Sequence, residues 1–234
     1  MRKGFAGFVG WQADVDDCEL AGYRSGLSAG LGKALADLDD AELVAAARDG
    51  LAAVPAERAH QDATLVEHRT AVADGVVVLD VRLPAGLVRL RHAGDRPEVI
   101  GLRLAAVRIG LVRKVLDQAL ARPAARSVPL PASLPAAAAG PLSGPLSGPL
   151  SGPPRWRLAL GVIAEVVSAL ESLRRGLVGL TRYPSRADIA AVHTRLTQLD
   201  WQVARLFWRD GYRSDHPVRV LFAGELVATM WVGT

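Results

Sequence analysis

The chain has 234 residues, 50% hydrophobic and 22% charged, a composition that buries a sizeable core and excludes a disordered chain. Its 28 basic residues are nearly offset by 24 acidic ones, for a net charge of +4. The arginines are scattered among carboxylates and form no basic cluster interleaved with aromatics, which argues against nucleic acid as a partner.

In chain order, GFAGFVGW follows Arg2 and Lys3 like a short signal sequence, but it leads into QADVDD without a small-residue cleavage site. Phe8 and Trp11 could belong to the core or dock on a partner, and core is the expectation. The lone Cys18 excludes an intrachain disulfide and a metal site built on several thiolates. Residues 18–56 have a helical pattern, although Gly22, Gly26, Gly30 and Gly32 leave its first part dependent on tertiary packing for order. Asp37 or Asp39 is the expected N-cap of a helix running through Leu51, with Pro55 as its stop. Residues 1–62 are therefore expected to be an N-terminal helical segment.

The period changes over 63–95, where ATLVEHRTAV, VVVLDVRL and LVRLRH are separated by ADG and PAG. Val76, Val78, Asp80 and Arg82 alternate with Val77, Leu79, Val81 and Leu83, which predicts two or three short strands in a small β patch.

From 96 to 234 the pattern is helical again. A helix over 99–121 gathers Arg103, Arg113, Lys114 and Asp117 on one arc, and apolar residues fill most of the rest, as in a helix packed on two sides. Arg108 falls inside the apolar arc; a snorkelling side chain is the expectation, with a pocket arginine facing an anion as the alternative. Residues 127–154 contain GPLS three times in tandem, and proline at every fourth position forbids helix and sheet ladders. This longest uncharged run is too rich in Pro and Gly to cross a membrane as a helix, so a cytoplasmic chain without a membrane span is expected.

A helix over 155–181 places Glu171 within reach of Arg174 or Arg175 as a surface pair. The next opens with a capping box at Ser185 and Asp188, and Gly211 is its expected end. Pro217 then starts a last helix capped by Ser214 or Asp215. The economical arrangement is a mainly α protein whose C-terminal part is an antiparallel four-helix bundle, preceded by the β patch and the N-terminal helical segment.

Several residues carry a family resemblance. The run VVVLDVRLPAG followed by LRLAAVRIGLVRKVLDQALARPAAR, with Arg103, Ala105, Ala106, Gly110, Leu116, Asp117 and Ala119 in sequence, resembles the passage from β-domain to C-terminal bundle in acyl-CoA dehydrogenases. Pro123 interrupts a helix that the family keeps continuous, and Val128 and Pro129 replace the Phe and Gly of its R-x-F-G signature. Gly211-Tyr212, Pro217-Val218 and the ending Trp231-Val232-Gly233-Thr234 resemble the family's tail. There Val232 stands at the catalytic glutamate position, and Trp208 and Arg209 replace two glycines that approach the flavin nucleotide.

The resemblance implies FAD as cofactor, with Arg126, Gly211, Tyr212, Gly233 and Thr234 at its site, and an acyl-CoA thioester as substrate beside Arg103. In that family a carboxylate takes the α-proton while the β-hydrogen leaves as hydride to the flavin. Valine cannot accept a proton, so the implied function is a degenerate copy or partner subunit in a homo- or hetero-oligomer with an acyl-CoA dehydrogenase-type subunit. The alternatives are an active enzyme with Glu225 as a displaced base, or a helical interaction module without a ligand. His193 and His216 are isolated, His216 belonging to a helix start, and no metal-ligand spacing, Walker glycines or nucleophile elbow occurs.

Overall fold

The structure, a computed structural model, describes residues 8–38, 43, 51–59, 66–73, 75–81, 96–125, 154–180, 184–207 and 216–232. It is mainly helical with a small antiparallel sheet. Helices α1 (Phe8–Ser25) and α2 (Leu27–Ala34) precede strand β1 (Leu51–Pro55) and a short 3-10 turn. Strands β2 (Val66–Ala73) and β3 (Val76–Val81) follow, then helices α3 (Arg96–Ala125), α4 (Pro154–Gly179), α5 (Arg186–Leu206) and α6 (Arg219–Val232).

The chain is organised around α3, which touches each of the other described helices. From Ile100 to Val112 only Arg103 escapes full burial, the burial expected of a helix that is apolar on nearly all sides. Its closest partner is α1. A Cβ on Gly22 would lie 2.4 Å from the Val107 carbonyl oxygen, and one on Gly110 would lie 2.0 Å from that of Glu19. These two glycines therefore let the helix backbones touch. Gly26, at φ 94°, separates α1 from α2, and the turn carries Gly30 back onto Val107, where a Cβ would meet Cγ1 at 2.5 Å. The glycine-rich stretch is ordered by packing, as its composition requires.

The sheet has the order β1-β3-β2, with both pairings antiparallel. Gly75, at φ 75°, supplies the left-handed residue in the tight connection between β2 and β3. Two details differ from the sequence expectation. First, β1 occupies Leu51–Pro55, inside the segment expected to be helical; Ala52 and Ala53 have no β signature, and the strand is specified by its pairing with Leu79 and Val78. Second, β3 buries Val76 and Leu79 while Val77 and Val78 are half-buried, because it is the central strand and does not divide into one wet and one dry face. The strand expected at LVRLRH lies outside the described residues, as does the linker over 127–153.

Helix α3 also runs past Pro123 to Ala125. Pro123 has no N–H to donate to the carbonyl of residue 119, and the helix continues for only two residues beyond it. Ser185 caps α5 through a full capping box with Asp188, whose carboxyl is held below its usual range by the Ser185 hydrogen bonds. At the start of α6, His216 Nδ1 accepts a hydrogen bond from the Val218 amide at 3.2 Å. The expected caps Ser214 and Asp215, and the expected stop Gly211, lie outside the described residues; α5 is followed by Phe207 as its C-cap. Trp11 is a core residue, its indole N–H donating to the Leu177 carbonyl at 3.4 Å. Trp231 likewise donates to Ala53 at 2.8 Å, fastening α6 to β1.

The α1–α3 crossing can be tested with two alanines. Gly110→Ala forces a Cβ into a backbone carbonyl and is expected to cost at least about 3 kcal/mol. Gly176→Ala, whose Cβ would meet nothing within 4 Å, is expected to gain roughly 0.5–1 kcal/mol through helix propensity. Urea denaturation of the two variants checks both signs.

Candidate functional site

Two polar clusters sit on α3, one sealed and one open. In the sealed cluster, Arg108 is 3% exposed and Asp200 1%. Arg108 Nη2 donates to Asp200 Oδ2 at 2.6 Å and to Thr197 Oγ1 at 3.0 Å, while Nη1 lies 3.1 Å from His193 Nδ1. An arginine can only donate, so Nδ1 accepts and His193 Nε2 carries the proton that it donates to the Gly101 carbonyl at 2.9 Å. His193 is thus a neutral imidazole of defined tautomer. Burial, and then the Arg108 charge, push it down from 6.5 to about 4.

Asp200 moves the other way. Burial raises it from 3.8 to about 7 against the attraction and hydrogen bond of Arg108, and the charge of Glu225 adds to the rise. Its Oδ1 and Arg108 Nε have no hydrogen-bond partner among the described residues, so the pair is incompletely satisfied. Arg108 therefore faces an anion, as the second sequence reading allowed, but that anion belongs to the fold. The sequence reading missed Asp200. A signal was present: His193, Thr197 and Asp200 stand at i, i+4 and i+7, a polar stripe on a helix face otherwise built from Leu196, Leu199 and Val203.

The open cluster joins α1, α3 and α4. Glu19, largely buried, accepts from Arg113 at 2.6 Å and from Arg174 Nε at 2.9 Å. Arg113 also reaches Glu171, and Arg174 reaches Asp16. Glu171 is thus paired across to α3 and not with its helix neighbours; Arg175 donates instead to the Glu171 backbone carbonyl. Asp117 accepts from the Tyr23 hydroxyl at 2.6 Å, a helix contact. These residues border a groove of about 620 Å³.

Of the residues singled out by resemblance, Arg103, Glu225 and Val232 are described and fall elsewhere. Arg103 donates to Asp14 at 2.8 Å and to Asp37 at 2.6 Å, and its guanidinium is held charged by those carboxylates. Glu225 is half-buried on α6, and Val232 is that helix's last residue. Arg126, Gly211, Tyr212, Gly233 and Thr234 lie outside the described residues. Burial pushes the Cys18 thiol up to about 12, which makes it unreactive. Among the described residues no group of three or more His, Cys, Asp or Glu is placed to hold a metal ion, and no helix is long and apolar enough to cross a membrane. No protein-family model, curated protein or solved structure matches the chain.

Two measurements address the sealed cluster. Arg108→Met or Asp200→Leu alone leaves a buried charge unpaired and is expected to cost roughly 3–5 kcal/mol, whereas the double variant is expected to cost less than either; chemical denaturation of the four chains closes the cycle.

The second measurement is the pH dependence of stability. Below pH 6.5 the unfolded chain binds a proton at His193 that the folded chain refuses until about pH 4. This contribution is complete above pH 6.5 and is lost as pH falls toward 4. Asp200 has the opposite sign: the folded chain takes its proton near pH 7 and the unfolded chain near 3.8, so acidification stabilises. The two offset each other in the native chain. His193→Asn is expected to leave stability rising as pH is lowered from 7 to 4, and denaturation midpoints across that range measure it.

Proposed function

We propose that residues 96–234 form an antiparallel four-helix bundle of the acyl-CoA dehydrogenase C-terminal type, in a cytoplasmic chain that is a degenerate copy or partner subunit of that family. The observation that carries the functional part is the commitment of Arg103. The residue that resemblance places beside an acyl-CoA is half-buried, and its Nη2 is engaged by Asp14 and Asp37 of the same chain. The contacts support the bundle: α3 touches α4, α4 touches α5, α5 touches α6, and α6 returns to α3.

In this reading the chain contributes helical scaffold to an assembly in which an acyl-CoA dehydrogenase-type subunit supplies the base, and FAD and the thioester are bound with that subunit. Val232 offers no proton acceptor. Glu225 belongs to the environment of Asp200, a structural setting for its carboxylate. A second reading, a helical interaction module without a ligand, is favoured by the exposed apolar side chains Leu20, Leu120, Val167, Trp201 and Leu226.

Flavin absorbance separates the readings. The chain purified alone is expected to be colourless, and the chain co-purified with an intact acyl-CoA dehydrogenase to be yellow. Flavin on the chain alone would instead establish an active enzyme, with loss of turnover in Glu225→Gln identifying its base. Absence of flavin in both preparations would leave the interaction module.

A further inference from the structure

Seven large hydrophobic side chains are exposed among the described residues, and six of them fall into two patches. Leu20, Tyr23, Leu120 and Val167, between 37% and 45% exposed, line the groove of about 620 Å³ between α1, α3 and α4. Trp201 and Leu226, 45% and 41% exposed, lie on the outer face of α5 and α6. The Trp201 ring rests on Phe222 with centroids 5.1 Å apart and planes tilted by 54°, so the indole is a braced projection. Contiguous apolar surface of this kind marks interaction sites, and a supported tryptophan is the commonest kind of anchor.

The charges around the two patches are opposite. The groove carries Asp16, Glu19, Asp117 and Glu171 against Arg113 and Arg174, which leaves two negative charges in excess. Both guanidiniums are drawn inward, each shared between two carboxylates. The α5–α6 face carries Arg205, one turn beyond Trp201, and Arg219, one turn before Phe222. Both arginines are exposed, and neither has an ion pair among the described residues. Glu225 lies on the other edge of α6, toward Asp200.

We propose that a second copy of this chain is the groove's occupant: the α5–α6 face of one copy docks in the α1–α3–α4 groove of the next, Trp201 and Leu226 meeting the apolar lining and Arg205 and Arg219 meeting the excess carboxylates. The two surfaces share no helix, so the contact is head-to-tail and builds a ring or an open array. Charge complementarity of this sort makes association faster and salt-dependent. The inference does not depend on the family reading and stands whether or not the chain carries flavin.

The test is sedimentation of the full chain over a range of concentrations at low and high salt. Mass is expected to grow with concentration and to fall with salt. Val167→Lys in the groove and Trp201→Glu on the face each place a repelling charge at an exposed position. Each variant is expected to keep the native thermal midpoint while weakening self-association by at least about tenfold. Mixed together, the two variants are expected to form a one-to-one dimer and nothing larger, because one retains an intact face and the other an intact groove. Association unchanged by either substitution, or a mixture that fails to pair, overturns the proposal. So does a chain that stays monomeric throughout; if such a monomer binds a leucine–lysine amphipathic peptide and Val167→Lys abolishes that binding, the groove belongs to a foreign helix.

Discussion

The backbone contact between α1 and α3 is the constraint from which the rest of the molecule follows. Two helices usually meet through side chains, with axes 8–10 Å apart or so. Here Gly22 and Gly110 each remove the side chain that would stand in the way. The close approach sets Glu19 between the guanidiniums of α3 and α4 and brings Tyr23 to Asp117. It also fixes the turn at Gly26, from which α2 covers the remaining side of Val107 through Gly30. Helix α3 is thereby held by backbone contact on the α1 side and by α2 beside it.

The arginines of α3 distribute that order to its neighbours. Arg103, Arg108 and Arg113 are five residues apart, which rotates each by roughly 140° from the one before in an α-helix. They consequently leave α3 in different directions, two of them returning to α1: Arg103 pairs with Asp14 on α1 and Asp37 beyond α2, Arg108 with Asp200 on α5, and Arg113 with Glu19 on α1 and Glu171 on α4. The exposed pairs add little stability. The sealed Arg108–Asp200 pair acts chiefly through specificity, since any other seating of α5 would leave two buried charges uncompensated.

The parts of this fold that could be read from the chain are those written in local pattern. Helical apolar spacing located α3, α4 and α5, and Ser185 with Asp188 marked a helix start to the residue. The glycine spacing from Gly22 to Gly32 announced a segment that tertiary contact would have to order. What could not be read depends on partners distant in sequence. Strand β1 has alanines where a strand signature would stand, and its identity comes from β3. The burial of Arg108 depends on a carboxylate 92 residues away, and the polar stripe that supplies it was masked by the apolar residues around it. Glu171 illustrates the same limit. Its spacing to Arg174 and Arg175 suggested a local pair, but the cross-helix guanidinium of Arg113 holds it. The site expected from family resemblance rests on Arg126, Gly211, Tyr212, Gly233 and Thr234, outside the described residues, while Arg103 is described and is engaged in ion pairs.

The indole of Trp231 on the Ala53 carbonyl spans 178 residues of chain, and this has a bearing on how the molecule is synthesised. Strand β1 can find β3 as soon as both have been made, because fewer than 30 residues separate them. Ala53 is nevertheless fully buried, and the indole that satisfies its carbonyl comes from a residue made well after the sheet. Until then the early sheet carries an unsatisfied polar edge and an apolar surface that α6 will cover, a state in which nascent chains are prone to associate wrongly. Closure of this fold therefore follows the synthesis of the sheet, and the face of β1 that α6 covers stays open until that helix has been made.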